Sequence, residues 1–213
     1  LQTRGDIPAL LEELDAQLSL STDRWTLAGH SWGAWLCLLY AAYFPKRVKQ
    51  LVLIACPPLS ESFVPQILQR RLAALTQPQA AAFTRALHDL QSTPENPQAL
   101  HTVEIFTRQT DFVNPCPYDD HLLEIDARQY RQIWPQAQWL RSSGKLLQAA
   151  QGLRCPVSIL HGKQDPHPAE GAILPLKAIG IQPEVVLWDR CGHSPFAETD
   201  ACEAFYQFFR DLP

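Results

Sequence analysis

A serine lies at the centre of a short glycine-bounded motif near the start of the 213-residue sequence. The motif reads Gly29-His30-Ser31-Trp32-Gly33 and matches the pattern G-x-S-x-G. A serine hydroxyl is a weak nucleophile, but it becomes reactive when a histidine removes its proton and a carboxylate orients that histidine. The motif therefore predicts acyl-transfer chemistry, provided that such a pair lies elsewhere in the chain.

Two later segments supply that histidine and that carboxylate. Asp165 follows the apolar run Pro156 to Leu160, and His193 follows the run Glu184 to Trp188. Both runs are typical of short buried strands. Because the carboxyl ends of parallel strands meet at one edge of a sheet, we expect Asp165 and His193 to lie beside Ser31.

The elements around the motif fit this arrangement. Arg24 to Ala28 predicts a short buried strand, and Ala34 to Phe44 is apolar on every side, as a buried helix is. Val48 to Ala55 is β-branched and apolar, which predicts the next strand of a parallel sheet. The motif thus lies between a strand and a helix, which is the context that G-x-S-x-G requires.

The sharp turn at Ser31 makes two further predictions. Neighbouring side chains would obstruct the turn, so both Gly29 and Gly33 are predicted to be sterically required. Trp32 begins the following helix, and its backbone N–H is predicted to face a developing oxyanion.

Capping signals place helices near both ends of the chain. Asp6 is a candidate N-cap for an amphipathic helix from Ile7 to Leu18. Asp200 and Glu203 have the spacing of a capping box and predict the start of a C-terminal helix.

Residues 57–151 lack strand signals and carry helical spacing, including a predicted helix from His121 to Trp134. The sequence therefore predicts an α/β fold with a mostly parallel sheet flanked by helices. Its core is formed by residues 1–56 and 152–213, and residues 57–151 form an inserted helical cap.

With its three motifs in this order, nearly the whole chain resembles α/β-hydrolase fold proteins with a helical cap. The order Ser31, Asp165, His193 is that of this superfamily and differs from the orders in chymotrypsin and subtilisin. The resemblance implies that Ser31 is the nucleophile, His193 the general base and then acid, and Asp165 the residue that fixes the imidazole tautomer. Related epoxide hydrolases and haloalkane dehalogenases use aspartate at the nucleophile position, so the serine disfavours those activities.

The resemblance implies a serine hydrolase that cleaves an ester, amide or related acyl bond through an acyl-enzyme, without a cofactor. The Ser-Trp-Gly turn and the Gly-His-Ser-Pro loop are also similar to proline iminopeptidases, which bind a substrate amine with cap carboxylates. Candidate carboxylates in the cap are Glu104, Asp119, Asp120 and Glu124, which also fit a solvated acidic face. A carbon-carbon bond hydrolase with the same triad and a non-catalytic receptor of small ligands remain as alternatives.

Substrate choice is expected to lie in the cap, which would cover the pocket over Ser31. The candidate substrate-binding residues are His30, Phe106, Tyr130 and Trp134. Aromatic residues at helical spacing also fit a core, and His30 also fits a packing or hydrogen-bonding role in the turn.

The remaining histidines do not predict a metal site. His161-Gly162 resembles the His-Gly oxyanion motif of the superfamily, but it follows a late strand instead of preceding the turn. Solvated or capping roles are predicted for His88, His101, His121 and His167, because they lack convergent metal-ligand spacing.

Composition excludes several partner classes. There are 18 Lys and Arg against 22 Asp and Glu, and no basic cluster is longer than Arg70-Arg71, so a nucleic-acid partner is not expected. No apolar run reaches the length of a transmembrane helix, so no membrane partner is expected. The six cysteines lack metal spacing and predict reduced core residues. We expect a soluble, cytoplasmic protein, and the resemblance implies that it acts on a small molecule or short peptide. The oligomeric state stays open.

Only 30 residues precede Ser31, and the chain contains no methionine. The resemblance implies that further strands, and a loop that donates the second oxyanion N–H, come before the turn. We therefore expect a preceding segment on the order of 60 residues to complete the fold. The chain by itself is expected to aggregate or to be inactive, because Trp25 to Ala28 would form an exposed apolar edge.

Overall fold

A computed structural model describes residues 3–117 and 127–212, with only the backbone of residues 127–130. Its four strands form one sheet in the order β1-β2-β3-β4, and every pairing is parallel. The strands are β1 Trp25–His30, β2 Val48–Ile54, β3 Val157–Gly162 and β4 Glu184–Trp188. The predicted parallel sheet is confirmed, and β1 runs two residues further than predicted, into the serine motif.

The helices fall into two groups. Those packed near the sheet are α1 Ile7–Leu18, α2 Trp32–Tyr43, α7 Lys145–Ala150, α8 Glu170–Ala178 and α9 Cys202–Arg210. The chain between β2 and α7 contributes α3 Val64–Ala74, α4 Gln77–Ser92, α5 Pro97–Asp111 and α6 Ala127–Ser142. Short 3-10 turns lie at Glu61–Phe63 and Pro195–Ala197.

Helix α2 is buried on most sides, because it lies between the sheet and the outer helices. Trp35, Leu38 and Tyr40 are fully buried in one cluster with residues of α1, α7, β2 and β3. A second cluster is centred on Phe205 of α9 and includes Leu160. Burial of apolar side chains in two clusters fixes β2 and β3 and hence the positions of their carboxyl ends.

One capping prediction is confirmed and one is wrong. Asp6 caps α1 by accepting a hydrogen bond of 2.8 Å from the backbone N–H of Ala9. Helix α9 instead begins at Cys202, without a side-chain cap. The carboxylate of Asp200 accepts hydrogen bonds from Asn114 and Arg190, which removes it from the capping position.

The predicted end of a helix at Trp134 is wrong, because α6 continues through Pro135 to Ser142. A proline inside a helix removes one hydrogen bond and costs about 3 kcal/mol. Burial of Ile133 and Ala137 in the core offsets that cost. The predicted start of this helix, at His121, lies outside the described residues.

Helix α7 also contributes to the core, since Leu146 and Ala150 are fully buried in the cluster around α2. Residues 57–151 therefore contain both cap helices and a helix that packs beside the sheet. The division into residues 1–56, 57–151 and 152–213 stays a prediction.

Strand β1 pairs with β2 alone in the described part of the chain. The expectation that preceding residues cover its other edge stays a prediction. In residues 3–117 and 127–212, no helix has both the length and the apolar character needed to cross a bilayer. All six cysteines are free thiols, and Cys56 and Cys191 are buried.

Candidate active site

Ser31 lies in the turn between β1 and α2, in a backbone conformation that is unusual for a residue with a side chain. Its φ is 54° and its ψ is −123°. The N–H of Ser31 donates to the carbonyl of Ile54 on β2 at 3.0 Å, and the N–H of Ala34 donates to the carbonyl of Ser31 at 2.9 Å. Strained conformations that neighbouring contacts enforce in this way are concentrated at functional sites.

Only one of the two motif glycines is sterically required. A Cβ atom at Gly29 would lie 2.2 Å from the carbonyl oxygen of Gly33, so no larger residue fits without a backbone shift. A Cβ atom at Gly33 would have no described atom within 4 Å. The prediction is confirmed for Gly29 and wrong for Gly33. The direction in which a side chain would leave residue 29 is blocked by the backbone of residue 33, whereas the corresponding direction at residue 33 is open.

The structure brings Ser31, His193 and Asp165 into one hydrogen-bonded chain. His193 Nε2 lies 2.9 Å from Ser31 Oγ, and His193 Nδ1 lies 2.8 Å from Asp165 Oδ2. His193 is 7% exposed and Asp165 is 0% exposed, so water has little access to the ion pair that would form between them. This is the arrangement that activates a serine hydroxyl.

The loops that carry the histidine and the carboxylate are in backbone contact. A Cβ atom at Gly162, where β3 ends, would lie 2.2 Å from the carbonyl oxygens of Cys191 and Gly192. A Cβ atom at Gly192 would lie 2.1 Å from the carbonyl oxygen of Asp111. The sequence shows these glycines beside Asp165 and His193, but the contact itself was not predicted.

Three histidines surround Asp165, whereas the sequence analysis assigned it one. His161 Nε2 lies 3.1 Å from Asp165 Oδ2. The backbone N–H of His167 donates to Asp165 Oδ1 at 2.8 Å, and His167 Nδ1 lies 3.1 Å from the same oxygen. The predicted solvated or capping role of His167 is wrong, because its ring packs 4.5 Å from the ring of His193. The spacing from His161 to Asp165 gave no signal of this contact, because i,i+4 neighbours meet on helices and His161 lies on strand β3.

Burial and these contacts oppose one another in setting the pKa values. Burial would raise the pKa of Asp165, but the charge of His193 and the hydrogen bonds from the histidines hold it well below the usual value. Burial would lower the pKa of His193, and the charge and hydrogen bond of Asp165 outweigh it and raise that pKa. Burial lowers the pKa of His167 despite its contact with Asp165. The site thus favours a positive charge on His193 over one on His167.

His30 occupies the turn as a hydrogen-bonding residue. Burial, followed by the charge of His193, lowers the pKa of His30 to about 4, so the ring is neutral near pH 7. Its Nε2 lies 2.8 Å from the carbonyl oxygen of His193 and donates to it. The ring of Phe196 packs edge-on at 5.1 Å. A contact between His30 and a substrate stays a prediction.

Trp32 is the first residue of α2, where a backbone N–H has no partner within its own helix. The N–H therefore has the position expected of an oxyanion donor. That role stays a prediction.

Two of the other candidate substrate-binding residues, Trp134 and Phe106, pack against aromatic rings inside the protein. The ring of Trp134 stacks on Trp35 of α2 at 6.4 Å and 7°. The ring of Phe106 packs edge-on against Phe83 within the cap at 6.2 Å. The side chain of Tyr130 lies outside the described residues. Roles of all three in substrate binding stay predictions.

The cap carboxylates considered for amine binding are only partly described. Glu104 is exposed on α5. Asp119, Asp120 and Glu124 lie outside the described residues, so the amine-binding prediction stays untested.

Within the described ranges, one group of residues has the types and proximity that a metal ion needs. The ligand atoms of Asp165, His167 and His193 lie within 4.8 Å of one another. The nitrogens of both histidines are at direct hydrogen-bonding distance from the carboxylate, at 2.8 and 3.1 Å. A proton-sharing network accounts for these distances, and the absence of a resident metal stays a prediction.

A profile of the alpha/beta hydrolase family matches residues 3–208. Human monoacylglycerol lipase ABHD6 is 28% identical over 185 residues, which are 85% of this chain and 52% of that protein. The chain therefore spans about half the length of the curated relative that it matches.

Solved structures provide a second comparison. VinJ superposes with a TM-score of 0.67 at 19% identity, and proline iminopeptidase of Mycobacterium smegmatis superposes with a TM-score of 0.62 at 15% identity. Each match covers 95% of this chain and 69% of the other chain. At these identities the likeness establishes the fold alone.

Proposed function

Because the chain belongs to the alpha/beta hydrolase family, we propose that it is a serine hydrolase that cleaves a carboxylic ester or related acyl bond. The hydrogen-bonded chain from Ser31 through His193 to Asp165 carries this proposal. The predicted α/β-hydrolase fold is confirmed by the family match and the superpositions. The assignment of catalytic roles to the three residues is our proposal.

In the first half of the reaction, Ser31 Oγ attacks the carbonyl carbon of the substrate while His193 Nε2 accepts the hydroxyl proton. Asp165 stabilises the imidazolium, which agrees with the raised pKa of His193. The N–H of Trp32 donates to the oxyanion. When the carbonyl re-forms, His193 returns the proton to the departing alkoxide, and an alcohol and an acyl-Ser31 ester result.

In the second half, water attacks the acyl-Ser31 ester while His193 Nε2 accepts a proton from the water. Collapse of the second tetrahedral intermediate breaks the bond to Ser31 Oγ and releases the carboxylic acid. His193 then returns the proton to Ser31. Each residue ends in its starting state, so the proposed cycle consumes only substrate and water.

A relative with a named activity supports an ester as the substrate. Human ABHD6 is named as a monoacylglycerol lipase, and it is 28% identical to this chain. No described residue favours the aminopeptidase, the carbon-carbon bond hydrolase or the non-catalytic receptor over the esterase. These three alternatives are therefore outcomes of the tests below.

A fluorophosphonate probe tests the nucleophile, because it phosphonylates a serine that an adjacent base activates. We expect the full-length protein to be labelled, and Ser31→Ala to abolish labelling. Ser92→Ala changes an exposed serine at the end of α4 and serves as the matched control, with labelling retained. Folded wild-type protein that is not labelled would contradict the proposal and favour a non-catalytic receptor.

A substrate panel tests the class of bond. We expect p-nitrophenyl esters to be hydrolysed faster than aminoacyl anilides at equal concentration. Preference for anilides with a free amine would instead support the aminopeptidase, and labelling without hydrolysis of either would direct attention to carbon-carbon bonds.

A further inference from the structure

Two adjacent basic residues, Arg70 and Arg71, lie on cap helix α3 and face the candidate active site from the cap side. Arg70 donates to the carbonyl oxygen of Asp165 at 3.1 Å. Arg71 is buried, and its Nη2 lies 2.8 Å from Asp111 Oδ1 at the end of α5. Arg71 also donates to the hydroxyl of Thr110.

The residue that Arg71 holds is bonded to the histidine loop. The backbone carbonyl of Asp111 accepts a hydrogen bond of 2.6 Å from the N–H of His193. The end of α5 therefore contacts the backbone of the proposed base directly. A displacement of Asp111 would displace the N–H of His193 or leave it without this partner.

Glu198 joins the same two segments from the other side. Its side chain is 0% exposed. It accepts hydrogen bonds from the N–H of Gly192 at 2.9 Å, of Val113 at 2.8 Å and of Asn114 at 2.7 Å. A buried carboxylate is costly unless hydrogen bonds satisfy it, so these three donors are coupled to one another through Glu198.

We propose that Arg71, Asp111 and Glu198 form a clamp that aligns the His193 imidazole by fixing the histidine loop against the end of cap helix α5. All three are positioning residues, because each acts through the backbone around His193. The proposal rests on the proposed function, since it concerns the alignment of the proposed base. It makes the cap a part of the catalytic geometry as well as a cover over the pocket.

The size of the expected effect follows from the demands of proton transfer. A misplacement of about 1 Å, caused by a change away from the reacting atoms, can cost on the order of 100-fold in rate. The His193 Nε2 to Ser31 Oγ contact is 2.9 Å, which leaves little tolerance for such a shift.

Two variants test the clamp from opposite ends in the full-length protein. Glu198→Gln replaces one acceptor oxygen by an amide donor that would face a backbone N–H. Arg71→Lys keeps the charge but cannot reach several acceptors in a planar fork. The matched controls are Glu203→Gln and Arg131→Lys, which change exposed ion pairs on α9 and on the cap.

The measurement is kcat per active site on a p-nitrophenyl ester, with active sites counted by fluorophosphonate titration. We expect kcat per titrated site to fall by about 10- to 100-fold in both clamp variants, with KM within about threefold of wild type. The controls should stay within about twofold. In the double variant Arg71→Lys/Glu198→Gln, the fold-loss in kcat should be smaller than the product of the two single fold-losses. Both changes weaken the same attachment of the histidine loop to the end of α5.

A purely structural role gives a different result. It reduces the number of titratable sites and the Tm, but each remaining site keeps the wild-type kcat. That outcome in either clamp variant, or failure of both variants to give titratable sites, overturns the proposal. If only one variant folds, its kcat per site decides. The proposed function fails separately, through an unlabelled wild type or a labelled Ser31→Ala.

Discussion

The turn that carries Ser31 and the loop that carries His193 are positioned in two different ways. The turn is fixed by contacts among neighbouring residues and β2: the close approach of Gly29 to Gly33, and the bond from Ser31 to Ile54. The His193 loop is fixed by partners from distant parts of the chain, namely the carbonyl of Asp111 and the carboxylate of Asp165. Nucleophile geometry thus depends on backbone contacts within the turn and with the adjacent strand β2, whereas base geometry depends on polar contacts with distant loops and the cap.

This difference predicts two modes of failure. A substitution that adds atoms should damage the turn, because its backbone has no free space at Gly29. A substitution that removes a charge or a hydrogen bond should damage the histidine loop, because its groups are buried. The four changes below test that distinction, beginning with the largest expected effect.

Asp165→Asn should lower kcat by about 10⁴-fold with KM nearly unchanged. The amide cannot stabilise the imidazolium of His193 and can hold the ring in the wrong tautomer. The measurement is ester hydrolysis at saturating substrate. Asp189→Asn, at an exposed residue paired with Lys163, is the matched control and should retain wild-type kcat. A loss below about tenfold in Asp165→Asn would mean that another carboxylate orients the base.

His30→Gln tests the contact between the two regions through the pH dependence of stability. The folded pKa of His30 is about 4, against 6.5 for the unfolded chain. The unfolded state therefore binds an extra proton between these values, and the free energy of unfolding falls as the pH is lowered through this window.

We expect this residue to account for a loss of up to about 3 kcal/mol between pH 6.5 and pH 4. The glutamine variant, which can still donate to the carbonyl of His193, should show a shallower decline in urea unfolding over this range. His88→Gln, on an exposed face of α4, should decline as the wild type does. Equal slopes for wild type and His30→Gln would show that the ring is not held neutral.

Gly29→Ala should destabilise the protein by about 1–3 kcal/mol, because its Cβ must displace the backbone of Gly33. Gly33→Ala is the matched control within the same motif. It lies in α2 with no described atom within 4 Å of the added Cβ, so it should be neutral or stabilise by up to about 1 kcal/mol. Urea unfolding measures the free energy of unfolding of both variants. Equal destabilisation would contradict the finding that only Gly29 lacks space for a Cβ atom.

Arg131→Gln should change the free energy of unfolding by at most about 0.5 kcal/mol, because it removes an exposed ion pair with Glu95. The buried pair of Arg71 and Asp111 should cost several times more when one partner is removed. Chemical unfolding of Arg131→Gln and of Arg71→Gln compares the free energies of unfolding of the two variants directly. An equal loss of stability on removing the exposed pair and the buried pair would contradict the prediction that burial makes the Arg71–Asp111 pair more important.

Much of the fold could be predicted because it follows from short-range patterns. The β-branched run Val48 to Ala55 and the all-round apolar segment Ala34 to Phe44 predicted β2 and α2, since burial on both faces favours apolar residues at successive positions. The end of α6 could not be predicted, because core packing of Ile133 and Ala137 outweighs the proline between them. Likewise, the capping box at Asp200 failed because Asn114 and Arg190 bind its carboxylate.

The candidate site shows the same division. Ser31, Asp165 and His193 could be selected from strand-end positions, because parallel strands bring their carboxyl ends to one edge. Two features could not be predicted: the packing of His167 on His193, and the finding that Gly29 is sterically required while Gly33 is not. Both depend on distances between atoms that are set only when the chain is folded.

The amino-acid sequence was enough to identify which residues have the chemistry for acyl transfer and in which order they follow the strands. Residue type and local periodicity suffice for that, since both are properties of neighbouring positions. Long-range packing, in contrast, brings the end of α5 to the backbone of His193 and buries Glu198 among three backbone donors. Except for the bond from Gly192 to Glu198, these contacts join residues more than 80 positions apart, and they form only where packing removes water from both groups.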